Sequence, residues 1–356
     1  MKKYQITEIT EKFNNAGTKA NSDVACTARR MGFMEVPVCM NTTVHSVRGK
    51  LQRQAGYMKD WANAVRAIEP GSVVLLQHPF HHRQMTREKS LREIRKKKVR
   101  YISFVHDVEE LRGFRYSAYY EREFRTMLEL ADVLVVHNDV MKQWFMEKGA
   151  AEEKLVSLGI FDYLQEGVKR EKTFAQSLTI AGNLDRTKCG YLAELGKLRG
   201  IRFDLFGVNF DESMRDCPNV SYHGEYPMDV IPSRMTRGFG LVWDGNSAAG
   251  CSGEAGSYLR YNDPHKLSLY LSSGLPVVIW SGAAEADFVR KNGVGICTES
   301  LYQAEHMINT VTSEEYAEMC RNAERIAEPM RKGRYTENAL REALKRIRTD
   351  AGEAEE

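Results

Sequence analysis

Apolar residues along this chain fall into short unbroken runs separated by longer amphipathic stretches. Val73-Val74-Leu75-Leu76-Gln77, Arg100-Tyr101-Ile102-Ser103-Phe104-Val105 and Asp132-Val133-Leu134-Val135-Val136-His137 read as strands of a parallel sheet, because strands covered on both faces need no polar alternation. Between them, 52–68 and 119–131 carry apolar positions at helical spacing, the first stopped by Pro70-Gly71. A first strand over 1–10, a polar loop over 14–22, a helix over 23–31 and a weak strand over 35–38 complete the pattern. Such βα alternation predicts a doubly wound sheet with right-handed crossovers.

The pattern weakens from 159 to 174, where the sequence is polar and charged, and a second alternating series follows. Strands are expected at 176–181, 202–206, 219–223 and 239–243, and a helix at 191–198. Then comes Tyr261-Asn262-Asp263-Pro264-His265-Lys266-Leu267, a polar loop that opens a helix, stopped by Gly274 and Pro276 before the buried run Val277-Val278-Ile279-Trp280. A last helix over 331–348 carries Ala339, Leu340, Leu344 and Ile347 on one face. The expected organisation is two αβ domains, 1–160 and 161–330, facing a cleft, followed by a helix over 331–350. No short repeat is visible.

Composition narrows the class. With 356 residues, 42% hydrophobic and 28% charged, the chain is long enough for two ordinary cores and has the make-up of a soluble globular protein. A net charge of +3 gives no case for a nucleic-acid partner. Nine Lys or Arg residues between Arg83 and Arg100 face only Glu88 and Glu93. That segment reads either as a solvated basic helix or as a peripheral contact with an anionic membrane surface or lipid pyrophosphate. The seven cysteines are scattered without metal-ligand or disulfide spacing. No apolar run reaches a membrane span and no signal-peptide core is seen. Reduced thiols in a cytoplasmic protein, with peripheral contact at the inner face of the membrane, are the expectation.

Ligands of such sheets bind at loops that follow strand C-termini. Lys266 stands in a helix's first turn, where free N–H groups and the dipole already favour an anion, so a diphosphate is the natural guest. Gly182-Asn183-Leu184-Asp185-Arg186 closes an expected strand, and Arg186 can grip phosphate with two N–H groups. Tyr226 offers a ring for a base or is an ordinary packed tyrosine. Gly17, Thr18 and Lys19 follow the first strand and can approach phosphate or sugar, or form a plain βα turn. His106-Asp107 ends the 100–105 strand: either residue can take a proton from an acceptor hydroxyl, and Asp107 can instead cap a helix. His78, His81 and His82 cluster at another strand end, with acceptor contacts favoured over a metal. Carboxylates near strand ends stand singly, so no fixed metal and no cofactor is expected. Cationic groups would neutralise a leaving diphosphate.

Together these segments resemble bacterial GT-B-fold glycosyltransferases, particularly galactofuranosyltransferases of surface polysaccharide assembly and accessory glucosyltransferases of serine-rich adhesins. The resemblance is carried by 182–186, 238–243, 261–267 and 283–295, and by 16–24 and 106–112 in the first half. It implies an α/β fold of two Rossmann-like domains, the last helix crossing back to the first domain. It implies a UDP-sugar donor held by Arg186 and Lys266, with Tyr226 by the nucleotide and Asn262 shaping the pocket. Gly182 and Asn183 lie on the same edge, and Gly17 and Thr18 would close over the donor. Where many members carry a Glu-x7-Glu pair, this chain has Asn262/Asp263 and Ser272/Ser273. The expected reaction is inverting transfer of galactofuranose or glucose to a lipid-linked or protein-linked glycan, in a homo-oligomer. A UDP-sugar epimerase of the same fold and a non-catalytic UDP-sugar-binding partner are the alternatives.

Overall fold

The computed structural model describes residues 1–10, 16–80, 82–113, 116–166 and 171–352. The chain divides into two compact units, one of Met1–Glu110, Arg115–Gly159 and Thr336–Glu356, the other of Leu111–Phe114 and Ile160–Tyr335.

The first unit contains, in order, β1 (Lys3–Thr10), α1 (Ala16–Arg30), β2 (Met34–Met40), α2 (Val47–Ala67), β3 (Val73–His78), α3 (Arg87–Lys96) and β4 (Arg100–Val105). Then come α4 (Glu109–Arg112), α5 (Ala118–Leu130), β5 (Val133–Val136), α6 (Asp139–Glu147) and β6 (Leu155–Ser157). Its sheet runs β2-β1-β3-β4-β5-β6 with every pairing parallel. The unbroken apolar runs are its central strands, as burial on both faces requires. Helix α2 is started by Ser46, whose hydroxyl accepts from Gly49 N at 3.1 Å. It buries Tyr57, Trp61, Ala64 and the following Ile68 in the core around β1–β4. Trp61 also donates to Gln84 Oε1 at 2.7 Å. Cutting Trp61 back to Ala would remove about 3–5 kcal/mol from that core.

Two boundaries differ from the sequence pattern. Helix α1 begins at Ala16, through the stretch read as a polar loop. Its buried Ala20, Val24 and Ala28 recur every four residues, and Lys19 pairs with Asp23 across one turn at 2.5 Å. Helix α2 begins at Val47 rather than near 52.

The second unit contains β7 (Thr173–Asn183), β8 (Arg202–Val208), β9 (Val220–Tyr222), β10 (Arg237–Val242), α7 (Gly253–Tyr258) and α8 (His265–Ser272). It continues with β11 (Val277–Trp280), α9 (Ala286–Asn292), β12 (Gly295–Thr298), α10 (Leu301–Thr310) and α11 (Ser313–Arg331). The expected helix over 191–198 is a 3-10 segment, Gly190–Lys197, whose two glycines weaken an α-helix by about 1 kcal/mol each. The sheet order is β12-β11-β10-β7-β8-β9, again all parallel. The chain enters at the centre on β7, steps outward to β9, and returns to β10 on the other side, which is the dinucleotide-fold order. Its topological switch point therefore lies between the ends of β7 and β10. In the first unit the same point lies between β1 and β3.

Helix α8 presses directly on β10, because a Cβ at Gly240 would stand 2.2 Å from the Tyr270 ring. The Tyr270 hydroxyl accepts from Ala181 N at 2.9 Å, tying α8 to the end of β7. The last helix, α12 (Arg334–Gly352), belongs from Thr336 onward to the first unit. There Arg346 donates to the carbonyls of Glu153 and Leu155 at 2.8 and 3.0 Å.

Candidate functional site

The switch point of the second unit gathers most of the residues that the sequence singled out there. At the end of β7, Gly182 has φ +130° and, on β8, Gly207 has φ +138°. A Cβ on Gly207 would lie 1.7 Å from the Gly182 carbonyl oxygen, so bare backbone is obligatory at this edge. Asn183 shapes the turn after it: its Oδ1 accepts from Asn209 Nδ2 at 2.8 Å and from Asp185 N at 3.1 Å. Arg186, half exposed on the same loop, donates to Asp211 Oδ2 at 2.7 Å. Ser213 and then Arg186 hold the Asp211 carboxyl down to about 2.

At the end of β10, Asp244 is buried and accepts from Lys266 Nζ at 2.9 Å. Lys266 also donates to the Trp243 carbonyl at 2.9 Å. Lys188 Nζ stands 3.9 Å from the same carboxylate, and Cys189 Sγ 3.8 Å from it. Burial alone would push the Lys266 ammonium down. The Asp244 carboxylate outweighs that and holds it above the usual lysine range. Burial likewise opposes the Asp244 charge, but Lys188 and Lys266 keep it lowered. Two ammonium groups and one carboxylate leave one net positive charge, with Lys266 and Asp244 buried and Lys188 half exposed at the rim. The sequence placed Lys266 in a helix's first turn as an anchor for diphosphate; the structure shows its ammonium engaged by Asp244, with Lys188 as the more exposed partner.

An aromatic surface adjoins the end of β8. Phe206 stacks on His223 with centroids 4.7 Å apart and planes 15° apart, and Tyr226 lies 6.2 Å from Phe206. The Arg234 guanidinium covers the Tyr226 ring at 4.8 Å. His223 is oriented by Asp204 at 2.8 Å, itself clamped by Arg237 at 2.9 and 3.0 Å. Tyr226 was legible as a ring for a base, but the Phe206–His223 stack was not, since it joins β8 to the loop after β9. Asn262 precedes α8, and its Oδ1 is buried without a hydrogen-bond partner among the described residues. Beside it, burial raises the Asp263 carboxyl to about 7, and this group accepts from Phe161 N at 2.5 Å. The residues of this edge thus offer cations for phosphate, rings for a base and an unmet amide oxygen for a hydroxyl.

In the first unit, His106 follows β4 and is buried, with Nε2 at 2.7 Å from Gln77 Oε1. An amide oxygen only accepts, so Nε2 carries the proton. His137, after β5, donates from Nε2 to the His106 carbonyl at 3.1 Å. Burial lowers His137 to about 4, with Asp107 opposing, so it stands neutral. Asp107 is more exposed than His106. Gly17 and Thr18 occupy the first turn of α1, after the end of β1. His78 stands 3.7 Å from the buried Glu123, while His81 lies outside the described residues. Among the described residues no group of three or more His, Cys, Asp or Glu is placed to hold a metal ion.

The basic segment from Arg83 to Arg100 is largely committed within the unit. Arg87 is buried on the Phe80 ring beside Glu123, and Arg92 pairs with Glu88 and Glu129. Arg95 and Arg100 share Asp132, Lys96 pairs with Glu93, and Lys97 caps the carbonyls of Val65 and Ile68. Neither a wholly solvated basic helix nor a continuous anion-facing patch describes it.

Comparison with known proteins gives concordant findings. The model of the glucosyltransferase 3-like N-terminal domain matches residues 3–160, and that of the glucosyltransferase 3-like C-terminal domain matches 178–343. The β-1,6-galactofuranosyltransferase WbbI of Escherichia coli (strain K12) is 35% identical over 71% of this chain and 73% of its own. Glucosyltransferase 3 of Streptococcus gordonii is 23% identical over 92% of this chain and 94% of its own. Among solved structures, Anabaena HepE in complex with UDP and glucose superposes with a TM-score of 0.60 at 13% identity, over 97% of this chain and 100% of that one. That likeness establishes the GT-B fold: two Rossmann-like α/β units.

Proposed function

Because the chain belongs to the glucosyltransferase 3-like family of glycosyltransferases, we propose that it transfers a hexose from a UDP-sugar to a glycan hydroxyl in surface polysaccharide or glycoprotein synthesis. Galactofuranose and glucose are the two donors that its relatives' names suggest. The observation that carries the donor reading is the cationic switch point of the second unit. Lys188 and Lys266 share the single carboxylate Asp244 after β10, with Arg186 after β7 and the Phe206–His223–Tyr226 rings by the end of β8 along the same sheet edge. In this reading the rings hold the uracil and Asn262 Oδ1 accepts from a sugar hydroxyl. Gly182 and Asn183 let backbone approach the donor, and the cations hold the diphosphate.

The acceptor oxygen forms its bond to the anomeric carbon as the bond from that carbon to the β-phosphate oxygen breaks. The acceptor proton passes to the Asp107 carboxylate, and the bonding pair leaves with UDP, whose charge Arg186, Lys188 and Lys266 meet. Asp107 takes this role over His106 because His106 is buried with Nε2 bound to Gln77. A single displacement inverts the anomeric centre. No fixed metal is invoked, the lysines and arginine supplying the positive charge. The donor assignment is tested by calorimetry with UDP. Arg186→Ala and Lys188→Ala should each weaken UDP about tenfold, as losing a charge-assisted hydrogen bond does. Unchanged affinity in both would refute the assignment.

A further inference from the structure

We propose that the outer face of α2 is a docking surface for an anionic lipid bilayer. This helix has two apolar faces. One packs into the core through Tyr57, Trp61 and Ala64. The other carries Val47, Leu51 and Met58, which are 76%, 67% and 54% exposed and recur at helical spacing on one stripe roughly 16 Å long. Exposed Val44 precedes it. Met85, also exposed, is held against it by the hydrogen bond from Met85 N to Gln54 Oε1 at 3.0 Å.

The charge around this stripe selects the occupant. Arg48, Lys50 and Lys59 are exposed on the helix, and Arg83, whose carbonyl accepts from Gln54 Nε2 at 2.8 Å, is exposed at its side. From Val36 to Lys59 the sequence contains no carboxylate at all. An apolar stripe flanked by cations without acids matches the acyl and headgroup layers of an anionic leaflet, with the helix lying in the interface plane. Two copies meeting on this face about a twofold axis would instead bring like charges together. Among the described residues no helix is long and apolar enough to cross a membrane, so contact here is peripheral. From the basic segment Arg83–Arg100 the surface takes only Arg83 and Met85, and most of the segment's other cations are already paired. It would bring the protein to lipid-borne acceptors, but it does not depend on the transferase reading.

The test is co-sedimentation of the full chain with vesicles of phosphatidylcholine and phosphatidylglycerol in equal parts, against phosphatidylcholine alone. Binding is expected to the mixed vesicles only, and to fall as salt is raised. Leu51→Ser combined with Met58→Ser should weaken it about tenfold or more through lost apolar burial. Lys50→Glu combined with Lys59→Glu should weaken it by at least about fivefold per cation. All four positions are exposed, and circular dichroism establishes that both variants fold. No sedimentation, equal sedimentation with phosphatidylcholine alone, or variants that bind like the parent would each overturn the proposal. So would a stripe variant that lowers the oligomer mass in sedimentation velocity while the parent ignores vesicles, which would assign the face to a second copy.

Discussion

Lys266 and Asp244 hold each other charged in a place that water barely reaches, so their substitutions differ in kind from those of the exposed cations nearby. Lys266→Ala leaves a buried carboxylate with Lys188 at 3.9 Å as its nearby cation and the Cys189 thiol at 3.8 Å. It should cost about 3–5 kcal/mol of stability, readable as a lowered denaturant midpoint. Arg186→Ala and Lys188→Ala should leave that midpoint within about 0.5 kcal/mol of the parent. If Lys266→Ala is as stable as these two, the buried pair is not what holds α8 against β10. His137 gives a prediction in pH. Its folded value of about 4 lies below the ordinary 6.5, so between these limits the unfolded chain binds more protons and stability rises with pH. As pH falls from about 6.5 to 4, His137 should withdraw up to about 2–3 kcal/mol. His137→Gln should flatten that part of the stability profile. A variant profile parallel to the parent's would show that His137 is not buried neutral.

At the scale of elements, legibility followed the physics of burial. Strands β3, β4, β5 and β11 were plain because an unbroken apolar run has few other folded fates. Helix α11 was absent from the sequence pattern although its buried Tyr316, Ala323, Ile326, Ala327 and Met330 recur on one face at helical spacing, because two of the five are alanines, a weak apolar signal among so many charges. The signal that marks it is the capping box of Thr312 and Glu315, which satisfies two free N–H groups at its start. In the site, the cations Arg186 and Lys266 could be picked out by type and position. Their partners Asp211 and Asp244 lie 25 and 22 residues away along the chain, and only strand order brings them together. The Phe206–His223 stack was hidden for the same reason. Helix α8 against β10 offers an element-scale test. Gly240→Ala places a methyl 2.2 Å from the Tyr270 ring and should cost about 1–3 kcal/mol by overpacking in denaturant unfolding. Pairing it with Tyr270→Leu should recover part of the loss. A neutral Gly240→Ala would contradict the packing described.

Across the whole molecule, two sheets of the same doubly wound kind carry different chemistry at their strand ends. The second unit concentrates cations and rings; the first presents a carboxylate beside two hydrogen-bonded histidines, of which His137 is held neutral by burial. That division matches a reaction in which the leaving diphosphate gains a negative charge and the acceptor must lose a proton, and it is why the donor and the base are assigned to different units. The most direct measurement is UDP release and product analysis with a panel of UDP-hexoses, in the presence and absence of a glycan acceptor, for the parent chain and Asp107→Asn. The account predicts one preferred donor, UDP formed in step with hexose joined to acceptor, and a fall in kcat of about 10²–10⁴ in Asp107→Asn with UDP affinity unchanged. Interconversion of UDP-sugars without acceptor, or UDP binding with no turnover of any donor, would contradict it.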